Sequence, residues 1–172
     1  MIETARLRLR PGLDRDVKGL VAAMNDWSIA QWLIRPPYPY SEDDARRFIQ
    51  WTLPKDGVGL GGTHVVADRH TDELLGVVSL ESAGERAELG YWLRRDAQRR
   101  GYMREAVSAL LRDAAGKLGM TVFATTDPDN AASQAVLLAV GFKEIGVEAR
   151  TVASRRSRPF HVLYEAPLGA YR

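Results

Sequence analysis

At 172 residues, with 45% hydrophobic side chains, the chain has the length for one domain with a full core and is too apolar to be chiefly a disordered segment. Its 24 Lys and Arg face 22 Asp and Glu, and the resulting net charge of +2 is too mild and too evenly interleaved to point to a nucleic-acid partner. Cysteine is absent, which excludes disulfides, thiolate metal sites and any acyl-cysteine intermediate.

In chain order, Leu7 and Leu9 alternate with arginines and predict a strand over residues 5–10. A helix is expected from Asp14, because Val17, Leu20, Val21 and Met24 recur at i, i+3, i+4 and i+7. Ser41 reads as an N-cap with Asp44 at the third helical position, and Ala45, Phe48, Ile49 and Thr52 line the helix that follows. Residues 57–62 contain a GxGxxG pattern, but it follows a helix and precedes a strand. That is the reverse of the dinucleotide context, so the segment reads as a flexible turn. Strands over 63–68 and 74–80 flank a hairpin signal at His70-Thr71-Asp72-Glu73, and residues 87–93 read as another strand. A helix over 102–118 buries Ala106, Val107, Leu110, Leu111, Ala114 and Leu118, then passes through Gly119 into a strand over 121–126. A second helix follows Asn130, and strands near 143–149 and 160–166 close the sheet. The order β-α-α-β-β-β-α-β-α-β-β describes a single α/β domain over 1–172, with no linker, repeat or low-complexity segment. The three histidines, His64, His70 and His161, lack i, i+4 pairing, so no metal is expected. No apolar run approaches the ~18–20 residues of a membrane span and no signal-peptide core is present, so the chain reads as cytoplasmic with no membrane partner.

The segment from Asp96 to Ala106 is the most informative. Backbone N–H groups opening the 102–118 helix lie just past a strand end, where a phosphate can sit on them. Gly101 has no Cβ to keep a phosphate away, and Arg94, Arg95, Arg99, Arg100 and Arg104 supply guanidinium groups suited to anionic oxygens. The plainer reading is a solvated basic loop before an ordinary helix start. The spacing Gln98-x-x-Gly101-x-Met103 resembles the Q/R-x-x-G-x-G/A coenzyme A signature of the GNAT superfamily of acetyltransferases, with Met103 departing from the usual small residue. Asn130-x-x-Ser133 followed by Gly141-Phe142 resembles the branch of ribosomal-protein N-terminal (RimJ/RimL-type) acetyltransferases. The opening residues 3–11 and the run Pro36-Pro37-Tyr38-Pro39-Tyr40-Ser41 extend that resemblance over essentially the whole chain.

The resemblance implies a mixed, mostly antiparallel twisted sheet of about six to seven strands flanked by about four helices. It also implies acetyl-coenzyme A as cosubstrate, held by Gln98, Arg99, Arg100, Gly101, Tyr102, Met103, Arg104 and Asn130, with backbone groups of Leu93 and Arg94 on the pantetheine arm. Many members carry a tyrosine seven residues after the asparagine to protonate the departing thiolate, and this chain has Leu137 there. Ser133 is the remaining hydroxyl on that helix turn, and its alternative role is to satisfy its own backbone. Glu88 is the first candidate for general base, with Glu81 second, and strand alternation puts Glu88, Gly90 and Trp92 on one face. A cross-strand charge pair is the other reading of Glu88. Asn130 also suits a helix cap, while Tyr91 and Trp92 read as core.

The reaction so implied is direct attack of a primary amine on the thioester. A protein N-terminal α-amine is the favoured acceptor, because roughly a tenth of it is free base at pH 7, against well under a thousandth of a lysine. A small amine such as an antibiotic or polyamine, or a coenzyme A-binding module without turnover, are the alternatives. A nucleic-acid-binding domain using Arg150, Arg155, Arg156 and Arg158 is a further one. The acceptor would meet loops at 34–41 and 152–159, whose shape the sequence leaves open, as it does the oligomeric state, a homodimer included.

Overall fold

The computed structural model describes residues 1–53, 62–115, 121–149 and 160–171. Expectations for residues 57–61, 116–119 and 150–159, among them Leu118, Gly119 and the arginines at 150, 155, 156 and 158, lie outside the described residues. The strand expected first is β2 (Leu7–Arg10), preceded by a short β1 (Ile2–Glu3) that pairs with it. Asp14–Asp16 forms a 3-10 turn leading into α1 (Val17–Asn25), and Asp26 caps the brief α2 (Trp27–Ala30) by accepting from the Ser28 N–H at 2.8 Å. The capping box forms as read: Ser41 and Asp44 bond reciprocally at the head of α3 (Glu42–Thr52). β3 (Gly62–Asp68), β4 (Leu74–Ala83) and β5 (Arg86–Leu93) then form a meander. α4 (Tyr102–Ala115) crosses to β6 (Thr121–Thr126), followed by α5 (Ala131–Ala139), β7 (Lys143–Ala149) and β8 (Phe160–Pro167).

Among the described residues the sheet has eight strands in the order β1-β2-β3-β4-β5-β6-β8-β7, and every pair is antiparallel except β5 with β6. It exceeds the expected six to seven strands because a two-residue strand has no periodicity to read. Among the described residues the five α-helices exceed the expected four because α2 is a single turn.

Alternation along the strands divides the core in two. Val66, Val78, Leu80 and Leu89 face α4 and α5, where they meet Val107, Leu110, Leu111 and Leu137. Val65, Val77 and Ala67 face the other way and pack on Val17, Leu20, Met24 and Ile49 of α1 and α3. Each fully buried leucine stabilises the fold by about 1.5–3 kcal/mol relative to exposure.

β5 takes part in both layers: Leu89, Tyr91 and Leu93 pack on the first cluster and Trp92 on the second. Its position depends on a close approach, since a Cβ at Gly76 of β4 would lie 2.2 Å from the Trp92 carbonyl oxygen and 2.9 Å from the Leu93 Cα. These are backbone atoms that cannot rotate away. Gly76→Ala is expected to destabilise the protein by at least about 2 kcal/mol, read as a lower urea midpoint at unchanged slope. An unchanged midpoint would show that β4 and β5 can separate freely.

Candidate active site

β5 and β6 pair over only Arg86 with Thr121, Ala87 with Val122 and Glu88 with Phe123. Beyond that point Leu89–Leu93 stay with β4, and Ala124–Thr126 stay with β8. The parting strands open a cavity of about 1360 Å³ that runs between the two helical layers and is walled by β5, β6, the start of α4 and the start of α5.

At one end lies the basic loop. Arg99 has φ of 60° and Gly101 φ of 77°, two left-handed positions flanking Arg100, an alternation of the kind that forms anion-binding nests. Glu105 is the first residue of α4 whose N–H finds a carbonyl, that of Gly101 at 3.1 Å. Among the described residues the N–H groups of Tyr102, Met103 and Arg104 have no acceptor, and all three residues line the cavity. Tyr102 and Met103 belong to the buried core, so the bulk of Met103, unexpected from the motif, is accommodated by packing.

Of the arginines expected at this site, Arg99 and Arg104 line the cavity, whereas Arg94 and Arg100 do not. Arg94 pairs with Glu73 and Asp96 at 2.6 Å each, and its hydrogen bonds hold the Asp96 carboxyl below its usual range. The Arg94 N–H donates to the Leu75 carbonyl at 2.8 Å, so it is already committed to the sheet. Arg100 lies over the Tyr102 ring. Gln98 donates to the Leu93 carbonyl at 3.0 Å and ties the loop to the end of β5.

Arg6, to which sequence reasoning gave no site role, holds the loop from behind. It donates to the Arg100 carbonyl at 2.9 Å, lies 4.6 Å over the Tyr102 ring and pairs with Glu105 at 2.7 Å. Burial works against ionisation of Glu105, but hydrogen bonds from Thr4 and Arg6 outweigh it and hold the carboxyl below its ordinary value.

At the other wall, Asn130 caps α5 by accepting from the Ser133 N–H at 3.1 Å. Its side-chain amide nitrogen has no acceptor among the described residues. The Tyr91 phenol lies 3.0 Å from both the Ser133 carbonyl oxygen and the Ser133 Oγ. A carbonyl only accepts, so the phenol proton goes there and the serine hydroxyl is left to donate. Tyr91, read as core, packs against the first cluster and also lines the cavity, a position that sequence reasoning did not give it. Leu137 is fully buried one turn further along α5, where a phenol would have no cleft to face.

Glu88 faces the α1–α3 side, as alternation predicts. Glu81 stands directly opposite it on β4, and Arg35, from the loop before α3, bridges the two carboxylates. His161 also lines the cavity, with Nε2 3.4 Å from Glu148. Among the described residues no group of three or more His, Asp or Glu could hold a metal, and no helix is long and apolar enough to cross a membrane.

Residues 6–143 match the acetyltransferase (GNAT) domain family. A ribosomal-protein-serine acetyltransferase of Escherichia coli (strain K12) is 31% identical over 128 residues, 72% of this chain and 69% of that protein. The structure of RimL, a ribosomal L7/L12 alpha-N-protein acetyltransferase in complex with coenzyme A, superposes with a TM-score of 0.81 at 23% identity, covering 97% of each chain. A spermidine N-acetyltransferase from Vibrio cholerae, in complex with coenzyme A and spermine, gives a TM-score of 0.78 at 19% identity over 98% of this chain and 99% of that one. At these identities the two structural likenesses are of fold.

Burial pushes the Tyr91 phenol far above its ordinary value, more than the hydrogen bond with Ser133 lowers it. Burial likewise raises Tyr40 and Tyr171 to about 12. A phenol raised on folding contributes stability that is fully present below its unfolded pKa of about 10 and is lost as pH rises towards the folded value. Stability from urea unfolding should therefore fall from about pH 10 upward. Tyr91→Phe should make that fall shallower without abolishing it; an equally steep fall would mean that the phenol is solvated.

Proposed function

Because the chain belongs to the acetyltransferase (GNAT) family, we propose that it works as a single domain, transferring an acetyl group from acetyl-coenzyme A to a primary amine by direct attack, with a protein N-terminal α-amine as the favoured acceptor. The observation that carries this reading is the cavity between β5 and β6, floored at one end by the unsatisfied N–H groups of the loop and α4. The residues fit a pyrophosphate: Gly101 is left-handed and carries no Cβ, and Arg99 and Arg104 stand beside the N–H groups. The backbone of β5 beyond Glu88, Leu93 included, has left β6 and suits the amide groups of an extended pantetheine arm, which can add to the strand edge, although the Leu93 carbonyl already accepts from Gln98. Asn130 reaches the same cavity from α5.

When bound, acetyl-coenzyme A supplies the acyl donor, a thioester whose thiolate leaves readily. Glu88, on the acceptor face, takes the proton from the incoming ammonium directly or through water. Ser133, whose hydroxyl donates to the Tyr91 oxygen in the free protein, turns that proton to the departing sulfur. The α-amine preference is supported by the larger free-base fraction of such amines at neutral pH and by the serine-acetylating relative. Acetylation of a small polycationic amine is the second reading, favoured by the presence of both Glu81 and Glu88 on the acceptor face.

Free-thiol release across peptides beginning with Ser, Ala or Thr, and across small amines, decides between the two. Release with none of them would overturn the proposal. Gly101→Val, which forces a β-branched residue into left-handed backbone beside the N–H groups, should weaken coenzyme A binding at least ten-fold, about 1.4 kcal/mol, by calorimetry on the folded variant. Arg99→Ala should raise the KM for acetyl-coenzyme A more than Arg100→Ala does, because only Arg99 lines the cavity. Ser133→Ala should lower kcat by ~10²-fold or less with little change in either KM, since the thiolate is already a good leaving group. Wild-type kcat with chemistry rate-limiting would leave water as the proton donor.

A further inference from the structure

Arg35 lies in the loop that joins α2 to α3, a segment stiffened by Pro36, Pro37 and Pro39, and reaches from there over the floor of the acceptor face. One guanidinium nitrogen is 2.9 Å from Glu81 Oε2 and another meets Glu88 Oε2. The two carboxylates are directly opposite on β4 and β5, an arrangement in which like charges repel unless a cation sits between them. Glu81 is further anchored, its other oxygen accepting from the Thr63 hydroxyl at 3.0 Å. The carboxylates are about 30% exposed, whereas the arginine side chain is 67% exposed. The acids are fixed by the sheet, and their cation arrives on a solvated arm from a separate loop. Such exposed pairs exchange readily.

While Arg35 holds Glu88 Oε2, that oxygen is closed to the ammonium whose proton Glu88 is to take. We propose that Arg35 is a specificity-determining residue of the acceptor face: its guanidinium fills the cation position between Glu81 and Glu88 until the acceptor's primary ammonium displaces it. This rests on the assignment of acetyl transfer to this cleft. The class of acceptor follows from the charges. A primary ammonium on an otherwise uncharged or cationic body, such as a peptide N-terminus or a polyamine, can replace the guanidinium. A free α-amino acid brings its own carboxylate to within a few bonds of the amine and is repelled by the same pair. Trp32, Phe48, Trp51 and Trp92 line the same cavity and offer apolar walls for the acceptor's first side chain or alkyl segment.

The test compares wild type with Arg35→Gln, Arg35→Lys, Glu81→Gln and the Arg35→Gln/Glu81→Gln double variant. With any amine that the enzyme acetylates, Arg35→Gln should lower the amine KM at least three-fold and leave the KM for acetyl-coenzyme A in place. Arg35→Lys should restore the wild-type amine KM, Glu81→Gln should raise it, and the double variant should lose the gain. Free α-amino acids should remain non-substrates in all of them. A rise in amine KM in Arg35→Gln, or a rise in the KM for acetyl-coenzyme A, would overturn the proposal and make Arg35 a strap for its loop. Methylguanidinium gives a readout that needs no turnover: by calorimetric titration it should bind Arg35→Gln at least three-fold more tightly than wild type and should not bind the double variant. Equal binding to all three overturns the inference even where acetyl transfer is established. Binding as stated, without acetylation of any amine, upholds the cation position and overturns the transferase reading alone.

Discussion

Parallel pairing between β5 and β6 lasts three residue pairs and then stops, and the rest of the site depends on that break. A backbone edge that leaves its ladder exposes N–H and C=O groups that elsewhere in the sheet are paired, and in a folded interior such groups need partners. β5 stays in place because β4 holds it by an unbroken antiparallel register from Gly76 to Ala83, with no room even for a methyl group at Gly76. β6 is held equally firmly by β8. With each strand anchored on its outer side, the gap between them is built into the fold rather than a local loosening. Its edge is polar backbone of the kind that an amide-bearing chain can pair with.

The basic loop is likewise held from outside. Arg99 in a left-handed conformation is costly for a residue with a Cβ, and such strain persists only where neighbours over-determine it. Gln98 fastens one side to Leu93, and Arg6 fastens the other through the Arg100 carbonyl, the Tyr102 ring and Glu105. Glu105 carries a negative charge in the first turn of α4, where the helix field favours it, but it is turned towards Arg6. The N-terminal N–H groups thus remain open to an anion while the acidic side chain of the same turn is occupied elsewhere.

The parts legible in the sequence were those with a local period or a local cap. α4, the Ser41 capping box and the faces of β5 rest on patterns within a few residues, and the meander shows itself by strand alternation around the turn at 70–73. β1 and α2 are too short to show a period, so the sheet and the helix count came out larger than read. The site was legible where the motif is contiguous, from Gln98 to Arg104, but not in which arginines turn inward, since that depends on partners such as Glu73 on another strand. Tyr91 with Ser133, Arg6 with Glu105 and Arg35 with Glu88 join residues 42, 99 and 53 positions apart. No spacing rule connects such pairs. Alternation did place Tyr91 on the face of Leu89 and Leu93, and a polar tip on a buried aromatic ring is the signal that could have sent attention to it.

That same alternation has a chemical consequence. Glu88 and Tyr91 are three residues apart on one strand, so they project to opposite faces of the sheet, Glu88 towards α1 and α3 and Tyr91 towards α4 and α5. On the proposed reading, the group that takes the proton from the amine and the hydroxyl that returns one to the sulfur lie on opposite sides of the backbone along which the thioester would run. An amine can then approach from one face while the thiol departs on the other, and neither proton-handling group has to move aside for the other. A single extended strand, freed of its neighbour along one edge, is sufficient to keep the two apart.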